Sequence, residues 1–387
     1  MRLARRWATL KRTKYDMKKM KLNICSLGDP TNPKTWSGTT FNLYSELLKR
    51  NCLGTAFNSS INKYVRILIR LISKFYYKNS DDTHRGLLLR YLNANKVIKE
   101  TIKSNSNYTL HTTTWDLPFY KFPKNQKHYL YIDYTWNLYA SYSTRIKGFT
   151  KRLLKDAEKL EIESYHQMEH IFPISEYVKN NLINHYGINP QKITVVGTGL
   201  GVIKPYHGLK NYSNGKILFA AKGRFEDKGG SLVLKAFEIA LQTNPNLELL
   251  IVGQNEYTKK IDLPNVKTYG FISIVELQNI FNDCSLFLMP AINEPWGLVY
   301  LEALACKMPI VGLNRNSFPE ISGNGKYGFG LNEAEPEKLA KILISAFCNP
   351  QSLEEMGIKG QDYCINKFSW SNTVSKIIKT INNLINE

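Results

Sequence analysis

Between residues 216 and 314 the chain alternates between two hydrophobic rhythms. "KILFAAK" (216–222), "LELLIVGQ" (247–254), "SLFLMP" (285–290) and "PIVGLN" (309–314) are short, nearly continuous apolar runs. Between them, "SLVLKAFEIALQ" (231–242), "SIVELQNIFNDC" (273–284) and "GLVYLEALAC" (297–306) repeat their apolar positions at helical spacing. Strands that are apolar on both faces are buried on both faces, so the pattern predicts a parallel sheet covered by helices on each side. This is a doubly wound α/β domain.

The first half carries the same signal less regularly. "KLNICSLG" (21–28), "YTLHTTT" (108–114), "HYLYIDYT" (128–135) and "HIFPIS" (170–175) read as strands. "SGTTFNLYSELLKR" (37–50) and "EYVKNNLINHYG" (176–187) read as helices, the second closed by Gly187. "KITVVGTGLGV" (192–202) then leads into a Pro/Gly/Asn-containing stretch that ends near Ser213 and divides the chain. A length of 387 residues agrees with two domains. Two such domains facing one another place ligands at the carboxyl ends of their strands.

Composition narrows the class. No apolar run approaches roughly 18 residues, so no transmembrane helix is predicted. The first 21 residues hold nine Lys/Arg and one Asp without an apolar core, which argues against a secretory signal. Met17 and Met20 precede the first strand, so residues 1–20 read as a basic leader. Six cysteines, at 25, 52, 284, 306, 348 and 364, form no CxxC pair, which suits reduced thiols in the cytoplasm and offers no zinc or redox motif. The formal charge of +20 favours nucleic acid, an anionic membrane surface or phosphorylated small molecules. Heavy use of Lys, Asn and Ile would also raise it without any function.

Two loops hold the candidate chemistry. In "GRFEDKGG" (223–230), Gly223 permits a tight exit from a strand, Arg224 and Lys228 supply cations, and Gly229-Gly230 open a helix. Cations beside a glycine-flanked helix start suit a phosphate or diphosphate, the alternative being a solvated loop. In "AINEPWGLVYLE" (291–302), Glu294 lies in a loop shaped by Pro295 and Gly297, and a helix starts near Trp296. The free N–H groups of Gly297, Leu298 and Val299 point to the same cleft. Glu302, about a turn and a half into the helix, can bind a pair of ribose hydroxyls, and Glu294 can accept from sugar hydroxyls.

"GRFEDKGG" followed about seventy residues later by "NEPWGLVYLEALACKMPIVG" resembles the retaining glycosyltransferases of family 4, whose fold is GT-B. Glu294 and Glu302 meet that family's E-x7-E pattern. The resemblance implies two Rossmann-like domains, an acceptor-binding one over 21–205 and a nucleotide-sugar-binding one over 213–366. "FSW" (368–370) resembles the family's closing segment, which implies that 367–387 crosses back onto the first domain. It further implies that Arg224 and Lys228 hold the donor diphosphate, Glu302 the ribose and Glu294 the transferred sugar. Gly223 and the backbone of Gly297 to Val299 would touch phosphate or sugar, and "YGFIS" (269–273), with Phe271, would cradle the base. No cofactor and no metal are implied, the nucleotide-sugar being a co-substrate.

"WSGTTFNLYSELLKR" resembles the family's first strand-to-helix loop, where Gly38 would let the backbone approach the donor phosphate or acceptor hydroxyl. Near Asp133 many members carry a histidine; here Asp133, with Thr135 beside it, is the candidate polar group at the reacting centre. Its alternative is a turn or helix cap, and His111 is a second candidate. The implied reaction is front-face transfer of a hexose from a UDP- or GDP-sugar to a glycan or lipid-linked glycan, in surface polysaccharide or glycolipid synthesis.

The acceptor side has one further feature. "INKYVRILIRLISKFYYK" (61–78) sets Lys63, Arg66, Arg70, Lys74 and Lys78 in one stripe, with Ile, Val, Leu and Phe on the other face and no acid. A basic amphipathic helix suits an anionic membrane, so peripheral attachment at the cytoplasmic face is expected. The alternative is a solvated basic face over a helix packed by its apolar side. Competing functions are a nucleotide-sugar epimerase or phosphorylase on the same fold, a non-catalytic sugar-binding relative, and a basic nucleic-acid-binding protein. The last lacks any helix-turn-helix, zinc-finger or RNP-type pattern.

Overall fold

The computed structural model describes residues 20–78, 80–221, 223–253 and 261–386. The leader expected at 1–20 therefore lies outside the described residues, Met20 apart.

The first sheet contains β1 (Leu22–Ser26), β2 (Leu53–Asn58), β3 (Tyr108–His111), β4 (Lys127–Ile132) and β5 (His170–Pro173) in the order β2-β1-β3-β4-β5, every pair parallel. Its central strands are buried along nearly their whole length, as continuous apolar runs require. The edge strand β2, "LGTAFN", is only half-buried and carries no apolar run. Around the sheet run α1 (Thr39–Lys49), α2 (Lys63–Tyr76), α3 (Leu87–Lys103), α4 (Trp136–Tyr142), α5 (Lys151–Gln167) and α6 (Glu176–Asn184).

The second sheet is built from β6 (Lys216–Ala220), β7 (Glu248–Val252), β8 (Val266–Tyr269), β9 (Leu286–Leu288), β10 (Ile310–Leu313) and β11 (Gly328–Leu331). Their order is β11-β10-β9-β6-β7-β8, again parallel throughout. Helices α7 (Gly230–Thr243), α8 (Ile274–Asp283), α9 (Leu298–Ala305), α10 (Phe318–Ile321), α11 (Pro336–Cys348) and α12 (Pro350–Lys367) accompany it. Helix α9 begins at Leu298, two residues after the position expected from the sequence, because Gly297 takes a left-handed conformation and caps it.

The last helix, α13 (Trp370–Asn386), belongs to the first domain by contact. Arg50 on the end of α1 donates to Ser371 O and Oγ at 2.9 and 2.7 Å, and Thr373 Oγ1 donates to Val196 O at 3.4 Å. Val374, Ile377 and Ile381 are buried on its inner face.

Helix α2 does not pack by its apolar side. Asn62 caps it through Tyr64 N–H at 2.9 Å, and its buried positions are Ile69 and Ser73. Tyr64, Leu68, Leu71 and Phe75 are 80%, 57%, 55% and 88% exposed. The alternative of a helix held down by its whole apolar face does not hold: only Ile69 and Ser73 fit against the domain, and most of the apolar stripe stays exposed. Among the described residues no helix is long and apolar enough to cross a membrane. All six cysteines carry free thiols, five of them buried.

Candidate functional site

In the second sheet the strand order reverses between β6 and β9, so the loops leaving these strands diverge and open a crevice at their carboxyl ends. The described parts of those loops include 223–229 and 289–297, and they hold the cation and the carboxylate singled out in the sequence. Lys228 Nζ and Glu294 Oε2 form an ion pair across the crevice, with both side chains mostly buried. Gly229 (φ +85°) caps α7, and a Cβ there would lie 2.5 Å from Pro290 O of the opposite loop. Gly297 (φ +78°) caps α9, and a Cβ there would meet the Tyr300 ring at 2.6 Å. Only glycine at 229 lets the loops approach this closely, and only glycine at 297 leaves room for Tyr300 in the first turn of α9, so two helix N-termini open beside one ion pair. Ile292 N–H donates to Asp227 O at 3.3 Å, a further tie between the loops. Gly223 is also left-handed (φ +76°), and the exposed Arg224 pairs with Asp227 at 3.2 Å.

Glu302 lies on the buried side of α9 and is bound to the interdomain linker. Its Oε1 accepts from Val202 N–H at 2.7 Å and Ile203 N–H at 3.1 Å. A Cβ on Gly201 would lie 2.3 Å from the same oxygen. The carboxylate is thus held in one orientation where the chain enters the second domain.

The first domain has its own reversal, between β1 and β3, and a cavity of about 360 Å³ opens there. Trp36, Arg85, Trp115, Tyr131, Asp133 and Glu161 are among its walls. Trp36 (φ 45°), Ser37 (φ 53°) and Gly38 (φ 88°) are consecutively left-handed before α1, a strained approach that turns the chain into the helix. Asp133, one residue beyond β4, lines the cavity. Burial pushes its carboxyl up to about 6, against the opposing pull of its own backbone N–H and of a hydrogen bond from Trp36. Thr135 caps α4 through Leu138 N–H and donates to Asn181 Oδ1 at 2.6 Å, a structural use of its hydroxyl. Between them Tyr134 Oη donates to Asn293 Oδ1 at 2.6 Å. That bond joins the Asp133 loop to the residue preceding Glu294, and so the cavity to the crevice.

The structure therefore brings Lys228, Glu294, Gly223, Arg224 and Gly297 to Val299 together, with Asp133 joined to them through Tyr134. Phe271 is 71% exposed in the loop after β8. Of the basic stripe, Lys63, Arg70, Lys74 and Lys78 are exposed on the first domain, whereas Arg66, three positions before the buried Ile69, is half-buried. Sequence reasoning missed Tyr134–Asn293 and the Arg85 wall, where the guanidinium sits 4.1 Å from the Tyr139 ring centroid and 4.9 Å from that of Trp136. These partners come from distant segments and have no local signature.

His111 serves another purpose. Gln126 Nε2 donates to Ile98 O, leaving its Oε1 to accept from His128 Nε2 at 3.3 Å. Burial, with the neighbouring His111, holds His128 well below the usual imidazole range and so neutral. Its Nδ1 then accepts from His111 Nε2 at 2.9 Å. His111 Nδ1 faces Asp116 Oδ1 at 2.7 Å and Cys25 Sγ at 3.4 Å, all fully buried. Cys25, His111 and Asp116 converge closely enough to hold a metal ion. The 2.7 Å spacing between His111 Nδ1 and Asp116 Oδ1, however, is that of a hydrogen bond. The cluster ties β1, β3 and β4 together beneath the cavity.

Residues 208–363 match the family model described as Glycosyl transferases group 1. Over 218 residues, 51% of this chain and 53% of the relative, the sequence is 28% identical to the D-inositol 3-phosphate glycosyltransferase of Paenarthrobacter aurescens (strain TC1). Over 249 residues, 58% of this chain and 63% of the relative, it is 27% identical to the capsular polysaccharide biosynthesis glycosyltransferase CapM of Staphylococcus aureus. The chain thus spans between half and two thirds of the length of these curated relatives. Among solved structures, Anabaena Alr3699/HepE in complex with UDP shares the fold, with a TM-score of 0.64, 14% identity, and coverage of 94% of this chain and 100% of that one. The fold is GT-B, and the second domain of this chain matches the group 1 glycosyl transferases.

Proposed function

We propose that this protein is a retaining hexosyltransferase of family 4, moving a sugar from a UDP- or GDP-sugar to a glycan or lipid-linked glycan. The observation that carries the reading is the Lys228–Glu294 pair set between two helix N-termini and joined through Asn293 and Tyr134 to the Asp133 cavity. Donor binding gives each member of the pair a new partner: the diphosphate takes Lys228 and Arg224, and the sugar hydroxyls take Glu294. The amides of Gly297 to Val299 add positive potential at the phosphates. Glu302, already oriented by the linker amides, serves the ribose, and residues 269–273, with Phe271, border the base. Gly38 lies where backbone must come close to phosphate or acceptor.

In the transfer the bond from anomeric carbon to phosphate oxygen breaks and a bond from acceptor oxygen to that carbon forms on the same face. The acceptor proton passes to a donor phosphate oxygen, so the chain contributes position and charge, with Asp133 beside the reacting centre. The cations and helix termini do the charge-neutralising work at the diphosphate, and turnover is expected to survive EDTA. The names of the relatives, one in capsular polysaccharide synthesis and one acting on an inositol phosphate, support an acceptor in surface polysaccharide or glycolipid synthesis.

A thermal-shift screen with UDP, GDP, ADP, CMP and their sugars tests the donor. Uridine or guanosine ligands are expected to raise the melting temperature by a few degrees, roughly. Glu294→Gln should lower turnover about a hundredfold, and Glu302→Gln should weaken nucleotide binding. No stabilising nucleotide, or unchanged kinetics in both variants, rejects the assignment.

A further inference from the structure

Helix α2 carries a surface that donor chemistry leaves unused. Its inner positions are Ile69 and Ser73, with Tyr77 just beyond its end. At 100° per residue, Tyr64, Ile67, Leu68, Leu71 and Phe75 lie on the side away from the domain. Ile67 is 47% exposed, and the other four are more exposed still. Lys63, Arg70 and Lys74 fall along one flank of this ridge, between it and the buried side, and 63–76 contains no acid. Helix α3, packed against α2, exposes Leu87, Leu88 and Tyr91 at its start.

We propose that α2 docks on an anionic lipid bilayer, with Leu68, Leu71 and Phe75 entering the acyl boundary and Lys63, Arg70 and Lys74 meeting the headgroups. Each half of the surface answers one property of that partner. An apolar ridge this exposed is unstable in water and suits the interior edge of a bilayer. The cations, whose long stems let them reach to the side, suit negative headgroups and not neutral ones. A second copy of the chain fits poorly, because opposing two α2 faces would bring like-charged flanks together without a single carboxylate on either helix.

Placement gives the contact a use. Helix α2 packs on the turn Thr83–Arg85, and Arg85 is a wall of the cavity that also holds Asp133. A bilayer under α2 therefore lies beside the cavity, where a lipid-linked acceptor would present its headgroup.

Flotation of the whole chain with phosphatidylcholine vesicles, with and without phosphatidylglycerol, tests the contact without any sugar donor. The expected result is binding to the anionic vesicles only. Leu71→Ser with Phe75→Ser, both exposed and outside the donor site, should weaken it by about tenfold or more. Lys63, Arg70 and Lys74 changed to Gln should weaken it similarly. Nucleotide-induced thermal shifts should be unchanged in both variants, which separates this result from the fate of the donor assignment. Native protein that stays with the vesicle-free fraction overturns the proposal. So does an apolar variant that floats like the native chain, since general positive charge would then account for the binding. A native dimer that Phe75→Ser dissociates would assign the face to a second copy instead.

Discussion

Asp133 is drawn between two demands. The cavity favours the neutral carboxyl, whereas the proposed role beside a reacting centre with oxocarbenium character favours the carboxylate. Its folded value of about 6 lies above its ordinary 3.8. Between those values the folded chain holds a proton that the unfolded chain has released. Stability contributed by this residue therefore falls as pH rises through that window and stays lower above it. Asp133→Asn is expected to melt higher than the native protein near pH 8, with the gain disappearing as pH falls below about 4. Melting curves across that range check it; an equal gain at both ends would mean the site does not disfavour the charge. Position 133 was visible in the sequence because a polar residue ends an apolar strand. Its raised pKa was not, because the burial that causes it exists only once the strands have paired and the cavity has closed round the carboxyl.

At the scale of elements, the ion pair depends on two loop-to-helix junctions that glycine allows to approach. Lys228→Met would leave a mostly buried carboxylate without its cation, at a cost of about 3 kcal/mol. Adding Glu294→Gln should restore much of that stability and none of the turnover. Denaturant unfolding of the two single variants and the double one gives the coupling; strictly additive losses would show that the pair contributes nothing as a pair. The sequence announced these junctions because continuous apolar runs marked β6 and β9 and Gly229 and Gly297 stood where the helices begin. Strand β2 was missed because "LGTAFN", half-exposed on an edge, shows neither an unbroken apolar run nor strict alternation. The rotation of α2 was hidden for a different reason: amphipathic periodicity is the same whichever face turns inward. Ser73 and Ile69 decide it only by fitting against a neighbouring surface.

For the molecule as a whole, the two sites must meet, and Tyr134–Asn293 is the hydrogen bond that spans them, between residues 159 positions apart. No local pattern can encode a bond over that separation. Tyr134→Phe removes one hydroxyl, so it should cost only about 0.5–1.5 kcal/mol in unfolding. Transfer to acceptor should fall more than donor binding does, measured as turnover against nucleotide affinity. Proportional losses in both would place the bond outside the working arrangement.

The chain passes between the domains twice, once through Gly197–Gly201 and once through Phe368–Trp370. The two passages touch: Trp370 Nε1 donates to Leu200 O at 2.8 Å, and a Cβ on Gly199 would lie 2.3 Å from Trp370. A single tether would let one domain swing in any direction. Two tethers bound side by side act as the pins of a door and leave rotation about one line as the easy motion. The ends of the loops at residues 134 and 293 are then the latch side. Because the second tether continues into α13, removing the last helix would release a pin as well as uncover part of the first domain's core.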